Sequence, residues 1–522
     1  MSSRRLVMLA IEGCDWNLMH EWIAEGHLPV LQELLGDSQT LFLGAANRML
    51  PGSVWTDIAT GASAAVHGFM HEHQLRFGTY ETEKVDASRV AVAPFYRTLS
   101  DAGVRCAVVD FPVDSPQPNF NGFQLIDWGT EFKLWKCESQ PNELLAKVID
   151  RYGDHPLNEW RVTKTSLDWL AKIPSALRKG IDIKKRLTID LLDRREHDFV
   201  FVNFAELHKA GHFLWKFHDR THPEFTDAEP RLLPAMLETY KETDRALGEV
   251  LQHLAPGDDL IVLTDRGMYA DYRGDHLVDD MLVKLGLVAS VGNVDNEARK
   301  NSVRSRVLST SNARKAYFRF SRRFVPKPLR NLLRPLHRAV IGAPAPIDWK
   351  KTQVFRMPSV GNTYLRVNLE GRDPSGNVAP GAQYDALLAQ LASRFRSIIN
   401  PLTNETAVEH ILFPARTLKG PRSGEMPDVA VVWKSVAPMN SLYMPDVGLL
   451  SGRDQTFRTG NHRPEGFACF RSARMALGSG VREGDARQIT PAVLAHFGVA
   501  PPQHYEMDVP DFMKPKPLGR AA

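Results

Sequence analysis

What most restricts the fold of this chain is a set of short apolar runs spaced among longer amphipathic stretches. Leu6–Ile11, Cys106–Val109, Phe199–Phe204, Leu260–Leu263 and Val429–Trp433 are rich in Val, Ile, Leu or Phe. Runs of this length bounded by polar residues read as strands buried on both faces. In Leu237–Leu254, by contrast, Leu237, Tyr240, Leu247, Val250, Leu251 and Leu254 fall on one helical stripe. Buried strands alternating with helices predict an α/β protein, a mainly parallel sheet covered by helices on both faces. In such sheets ligands gather at the carboxyl ends of the strands. Three of the runs lead into polar groups there: Glu12, the stretch Glu206–His208, and Asp265.

Composition narrows the class further. With 43% hydrophobic and 24% charged residues among 522, the chain is neither disordered, collagenous nor a coiled coil. Lys and Arg number 65 against 61 Asp and Glu, a net +4 that gives no argument for a nucleic-acid partner. The four cysteines Cys14, Cys106, Cys137 and Cys469 are scattered with no CxxC pair, so neither a disulfide framework nor a thiolate zinc site is indicated, which fits a reducing compartment. The first apolar run breaks at Glu12, Gly13 and Asp15, too soon for a signal peptide, and no segment offers the ~18 uncharged apolar residues of a spanning helix. A cytoplasmic protein without a membrane span is expected. From Arg299 to Arg338 there are 13 Lys/Arg and no Asp or Glu. That segment reads either as a solvated insertion or as a patch for an anionic substrate, phospholipid surface or acidic partner.

Three places carry side chains suited to chemistry. His208–Lys209–Ala210–Gly211–His212 follows the run Phe199–Phe204, and on a helix residues four apart share a face, so both imidazoles can reach one ion. Asp265 stands where an apolar strand leaves the sheet, and His462 sits in the glycine-bounded stretch Gly460–Gly466. The plainer alternatives are a capping aspartate and a surface histidine.

Six blocks of sequence, in order, resemble the type I phosphodiesterase/nucleotide pyrophosphatase family of the alkaline phosphatase superfamily. Ala10–Trp16 is similar to its "LDGADW" opening and Gly26–Leu31 to "GRLPNL". Val54–Gly61 with His67–Gly68 resembles "AWASFATG…HG", and Asn203–Trp215 resembles "FSETDxxxHFFW". Val367–Val378 and Gly460–Gly466 are similar to "INLKGREPxGIV" and "GxHRPEG". The resemblance implies an alkaline-phosphatase-like α/β core with two metal ions, usually zinc, at the carboxyl edge of the sheet. It also implies a Thr or Ser nucleophile that attacks a phosphorus or sulfur centre.

Against that family pattern the chain departs at four positions. Glu12 replaces the first-strand Asp, and His208 replaces the Asp of an Asp-x-x-x-His pair, so the first metal would meet His208, His212 and His462. Three neutral imidazoles with an open position is a catalytic zinc arrangement. Asp265–Arg266 replaces an Asp-His pair, leaving Glu12 and Asp265 for a second metal position that is expected to be weak or empty. Arg266 either grips an anionic substrate oxygen there or forms a plain ion pair. The nucleophile position falls on Pro51 or Gly52; Ser53 is the nearest hydroxyl, either a nucleophile or a helix cap.

The resemblance thus implies a hydrolase or group transferase with one zinc, acting on an anionic small-molecule, lipid or glycan substrate: a phosphate ester, a phosphodiester, or a related sulfate or phosphonate ester. The alternative is an inactive binding or assembly protein on the same fold. The expected organisation is core over 1–294, a basic insertion with a cap or subdomain over 295–405, and a return to the core with the late ligand loop over 406–515.

Overall fold

The computed structural model describes residues 5–44, 47–130, 136–156, 166–290, 347–452, 458–472 and 478–513. The basic stretch Arg299–Arg338 lies outside the described residues. The described chain builds a nine-stranded sheet with Leu6–Ile11 at its centre, between Phe199–Phe204 and Asp259–Thr264 and parallel to both. Cys106–Val109 and Gly122–Ile126 extend it in the same direction. Gly466–Arg471 enters antiparallel beside Asp259–Thr264, so the sheet is mainly parallel, as expected.

Alternation along the central strands explains the two covered faces. Val7, Leu9, Ile11, Val200, Val202 and Phe204 point into one core, which helices Ile173–Arg194, Glu206–His218 and Ala235–Leu251 close. Leu6, Met8, Phe199 and Phe201 point into the other, against helices Val54–Thr60, Phe95–Asp101 and Ile489–His496. No polar row remains for solvent, so each strand reads as continuously apolar. No described helix is long and apolar enough to cross a membrane.

A second body carries its own core around Leu365, Leu391, Phe395, Val431 and Leu442. Its strands Val354–Met357, Thr363–Val367, Val429–Trp433 and Val408–Leu412 form one antiparallel sheet. Val429–Trp433 therefore belongs here and not to the main sheet, although its apolar run looks the same. The boundary expected at 405 falls inside this body, since Glu405–Thr406 pairs with Ile399–Asn400. The main sheet is rejoined at Gly466–Arg471.

A short ribbon connects fold to site. Gly460–Arg463 pairs antiparallel with Gly267–Ala270, with Met268 opposite His462. The ribbon lies on helix Glu206–His218 where glycines permit close approach: a Cβ on Gly460 would sit 2.1 Å from the Gly211 carbonyl oxygen, and one on Gly211 would sit 2.6 Å from Met268. Backbone cannot retreat as a flexible side chain can. Gly460→Ala should lose about 1–3 kcal/mol of unfolding free energy in a denaturant titration. Gly36→Ala, where a Cβ meets open space, should be neutral or slightly stabilising. Equal stability of Gly460→Ala and the parent would show that the ribbon is not seated this way.

Candidate metal centre

The helix Glu206–His218 begins directly after strand Phe199–Phe204, at the carboxyl edge of the sheet. His208 and His212 share one face of it, and the ribbon brings His462 onto that face. All three are buried, and their candidate ligand atoms lie within 4.8 Å of one another. His208 Nε2 is 2.6 Å from His462 Nε2 and 3.1 Å from His212 Nε2. Ligand nitrogens around tetrahedral zinc stand ~3.3 Å apart, so the rings need to spread by less than about 1 Å to admit an ion.

Hydrogen bonding fixes which nitrogens face inward. His212 Nδ1 donates to the Gly460 carbonyl at 2.8 Å, leaving Nε2 as a lone pair. His208 Nδ1 donates to Glu12 Oε1 at 2.9 Å, with the same result. A carboxylate or carbonyl behind each imidazole is the arrangement that orients a metal-binding histidine. At His462 the neighbour is a cation: Arg266 Nη1 lies 3.3 Å from Nδ1, and a guanidinium only donates. His462 Nδ1 therefore accepts, and Nε2 carries its hydrogen toward His208. On the other side Arg458 Nη1 lies 3.1 Å from His212 Nε2.

Electrostatics keep His212 and His462 neutral. Burial, with Arg458 and His208 adding to it, pushes His212 well below the usual histidine range. Burial and then Arg266 do the same to His462. Burial alone would raise Glu12, but the adjacent His208 and the hydrogen bonds from His208 and Asn203 hold its carboxyl down to about 2. Asp265 is raised by burial, which Arg266 offsets only in part.

Of the residues singled out from sequence, His208, His212 and His462 form the converging donor set. Glu12 stands behind it, spending Oε1 on His208 and Oε2 on Asn203 Nδ2 at 2.8 Å. Asp265 pairs through Oδ2 with Arg266 Nε, while its Oδ1 is buried without a hydrogen-bond partner. Ser53 precedes helix Val54–Thr60 but its side chain accepts no capping bond. Its hydroxyl donates to the Leu50 carbonyl at 3.0 Å and to Asp57 Oδ2 at 3.1 Å, and His67 Nε2 holds the other Asp57 oxygen at 2.7 Å.

Three participants escaped the sequence reading. Asn203 was visible as the one polar residue inside an apolar run. Lys184 pairs with Asp110 in full burial and donates to the Asn203 carbonyl at 2.7 Å, bracing that strand end. Arg458 carries no local signal.

The sheet order, the covering helices and the site at the strand ends define an alkaline-phosphatase-like α/β fold. A profile of the type I phosphodiesterase/nucleotide pyrophosphatase family matches residues 6–317, more than half of the sequence, and the chain belongs to that family. Among solved structures it is similar to phosphonoacetate hydrolase from Sinorhizobium meliloti 1021 in complex with phosphonoacetate. The identity is 12%, over 95% of this chain and 96% of that one, with a TM-score of 0.50. Murine ectonucleotide pyrophosphatase/phosphodiesterase 5 aligns at 11% identity over 96% and 97% of the two chains, with a TM-score of 0.46. At 12% identity the likeness to the hydrolase speaks to fold and not to chemistry. No curated protein sequence matches the chain.

If Glu12 orients His208, Glu12→Gln should weaken zinc binding by about 10- to 100-fold in a chelator competition. His212→Ala should abolish tight binding, because two ligands hold a labile ion poorly. Unchanged metal content in His212→Ala would rule the centre out.

Proposed function

We propose that the chain is a metal-dependent hydrolase of anionic phosphate-type esters, working with one zinc ion held by His208, His212 and His462. The observation that carries this reading is the pair of outward hydrogen bonds, His208 to Glu12 and His212 to Gly460, which turn two lone pairs toward a third imidazole. Three neutral nitrogens suit zinc better than magnesium or calcium, which favour oxygen. A bound zinc ion would supply Lewis acidity and bring the pKa of water to about 7. Cys14, Cys106, Cys137 and Cys469 form no disulfide, which supports a reducing, cytoplasmic setting.

The protein's own groups do the rest. Glu12 fixes the tautomer of His208 and balances charge behind it. Arg266, buried against Asp265, presents a cation at the strand end where the family's second metal ligand projects. Asp265 and Glu12 are engaged with Arg266, His208 and Asn203, which supports one ion in place of two. Ser53 is the hydroxyl assigned to nucleophilic attack: its oxygen bonds phosphorus as the ester P–O bond breaks and the alcohol leaves, its proton passes to Asp57 Oδ2, the carboxylate that His67 steadies, and water then hydrolyses the phosphoseryl bond.

A binding module without turnover is the second reading, favoured by the Ser53 hydroxyl facing Leu50 and Asp57 and sharing no hydrogen bond with the histidines among the described residues. A panel of chromogenic phosphate monoesters, diesters and sulfate esters, with zinc, manganese or magnesium added, separates the two. Zinc near one equivalent per chain with zinc-dependent turnover supports the hydrolase; no metal and no turnover leaves the module. Ser53→Ala should lower kcat by at least ~100-fold with metal content unchanged. Full activity in that variant would remove Ser53 from the reaction and leave water as the nucleophile.

A further inference from the structure

The second body turns one face of its sheet toward the loop that carries Ser53. Strand Thr363–Val367 pairs Tyr364 with Met357 on one side and Ala430 on the other, so these three share a face. That face packs with Leu50, Ala64, Ala65 and Met70 of the core, whereas Leu365 on the opposite face enters the second body's own interior. The strand is also fastened to the loop directly. Asn362 Nδ2 donates to the Arg48 carbonyl at 2.6 Å, and a Cβ on Gly361 would stand 3.0 Å from Pro51 Cγ. Leu50, in the same loop, supplies the carbonyl that receives the Ser53 hydroxyl.

Tyr364 is thus held where the two bodies meet. It is 1% exposed, and its hydroxyl has no hydrogen-bond partner among the described residues. Phenylalanine would satisfy the same apolar packing, so the phenolic oxygen adds nothing that the fold requires. A buried hydroxyl left unpaired lowers stability, which calls for an acceptor that arrives from outside. Two charges mark the kind of acceptor. Burial pushes the hydroxyl's pKa well up, Arg266 lowers it and Asp57 raises it, so both charges reach this oxygen. The phenol stays protonated and acts as a donor. Asp57 already receives hydrogens from Ser53 and His67, which leaves the phenol for another acceptor. The Asp57 side chain is 19% exposed, so this corner opens to solvent. An anionic oxygen entering there is drawn by Arg266 and takes the phenolic hydrogen.

We infer that Tyr364 donates its hydroxyl to a phosphoryl oxygen of the ligand bound beside Ser53, so that the second body completes the oxyanion site. This rests on the reading of Ser53 proposed above. It places the ester in the seam between core and second body, and it makes strand Thr363–Val367 a part of the catalytic site.

The test measures inorganic phosphate binding by calorimetry on the full chain after zinc loading and desalting, for native protein, Tyr364→Phe and Met357→Leu. Tyr364→Phe should bind phosphate about 10- to 100-fold more weakly, the range for a hydrogen bond to a charged group. Its melting temperature should equal or exceed that of native protein, because an unpaired buried hydroxyl has been removed. Met357→Leu, on the same face, should bind phosphate as native protein does. Unchanged affinity in Tyr364→Phe would overturn the inference, as would an equal loss in Met357→Leu, which would assign the effect to packing. A native protein that binds no phosphate would overturn it as well. Turnover of chromogenic phosphate esters separates this result from the hydrolase reading. Phosphate binding that needs the hydroxyl, without turnover, supports the donor and removes the hydrolase. Turnover with full phosphate binding in Tyr364→Phe keeps the hydrolase and removes the donor.

Discussion

The site depends on where two imidazole hydrogens go. His208 spends its Nδ1–H on Glu12, and His212 spends its own on the carbonyl of Gly460. Without those acceptors the rings could turn or change tautomer, and three buried histidines would be a set of unsatisfied polar groups. Much of the local fold serves to place the acceptors. Glu12 ends the central strand, Asn203 at the next strand end holds its second oxygen, and Lys184 braces Asn203 from behind. Gly460 reaches His212 because glycine on both sides of the crossing lets a ribbon lie on a helix backbone.

Three of the four departures expected from the family resemblance lie together in the structure. Glu12, one methylene longer than Asp, reaches the Nδ1 of His208. Arg266 brings a fixed positive charge next to Asp265.

The strands were legible because burial on both faces leaves unbroken apolar runs, as Leu6–Ile11 and Phe199–Phe204 show. Val429–Trp433 is equally apolar yet lies in the second body, because composition records burial and not which sheet a strand joins. The pairing of Ile399–Asn400 with Glu405–Thr406 across the expected boundary escaped for the same reason. At the site, His208 and His212 were legible from helical spacing alone. His462 stood out in its glycine-bounded stretch, but its partnership with the other two was implied only by the family resemblance, because the ribbon that brings it in joins strands nearly two hundred residues apart. Arg458 sits outside any block of resemblance, and its approach to His212 is a tertiary fact.

The central claim is that three imidazoles and no carboxylate bind the ion. X-ray absorption at the zinc edge, on protein loaded with one equivalent, reads that ligand set directly. The account predicts three imidazole nitrogens at about 2.0–2.1 Å with at most two oxygen ligands completing the shell. A shell dominated by oxygen, with one imidazole or none, would contradict it.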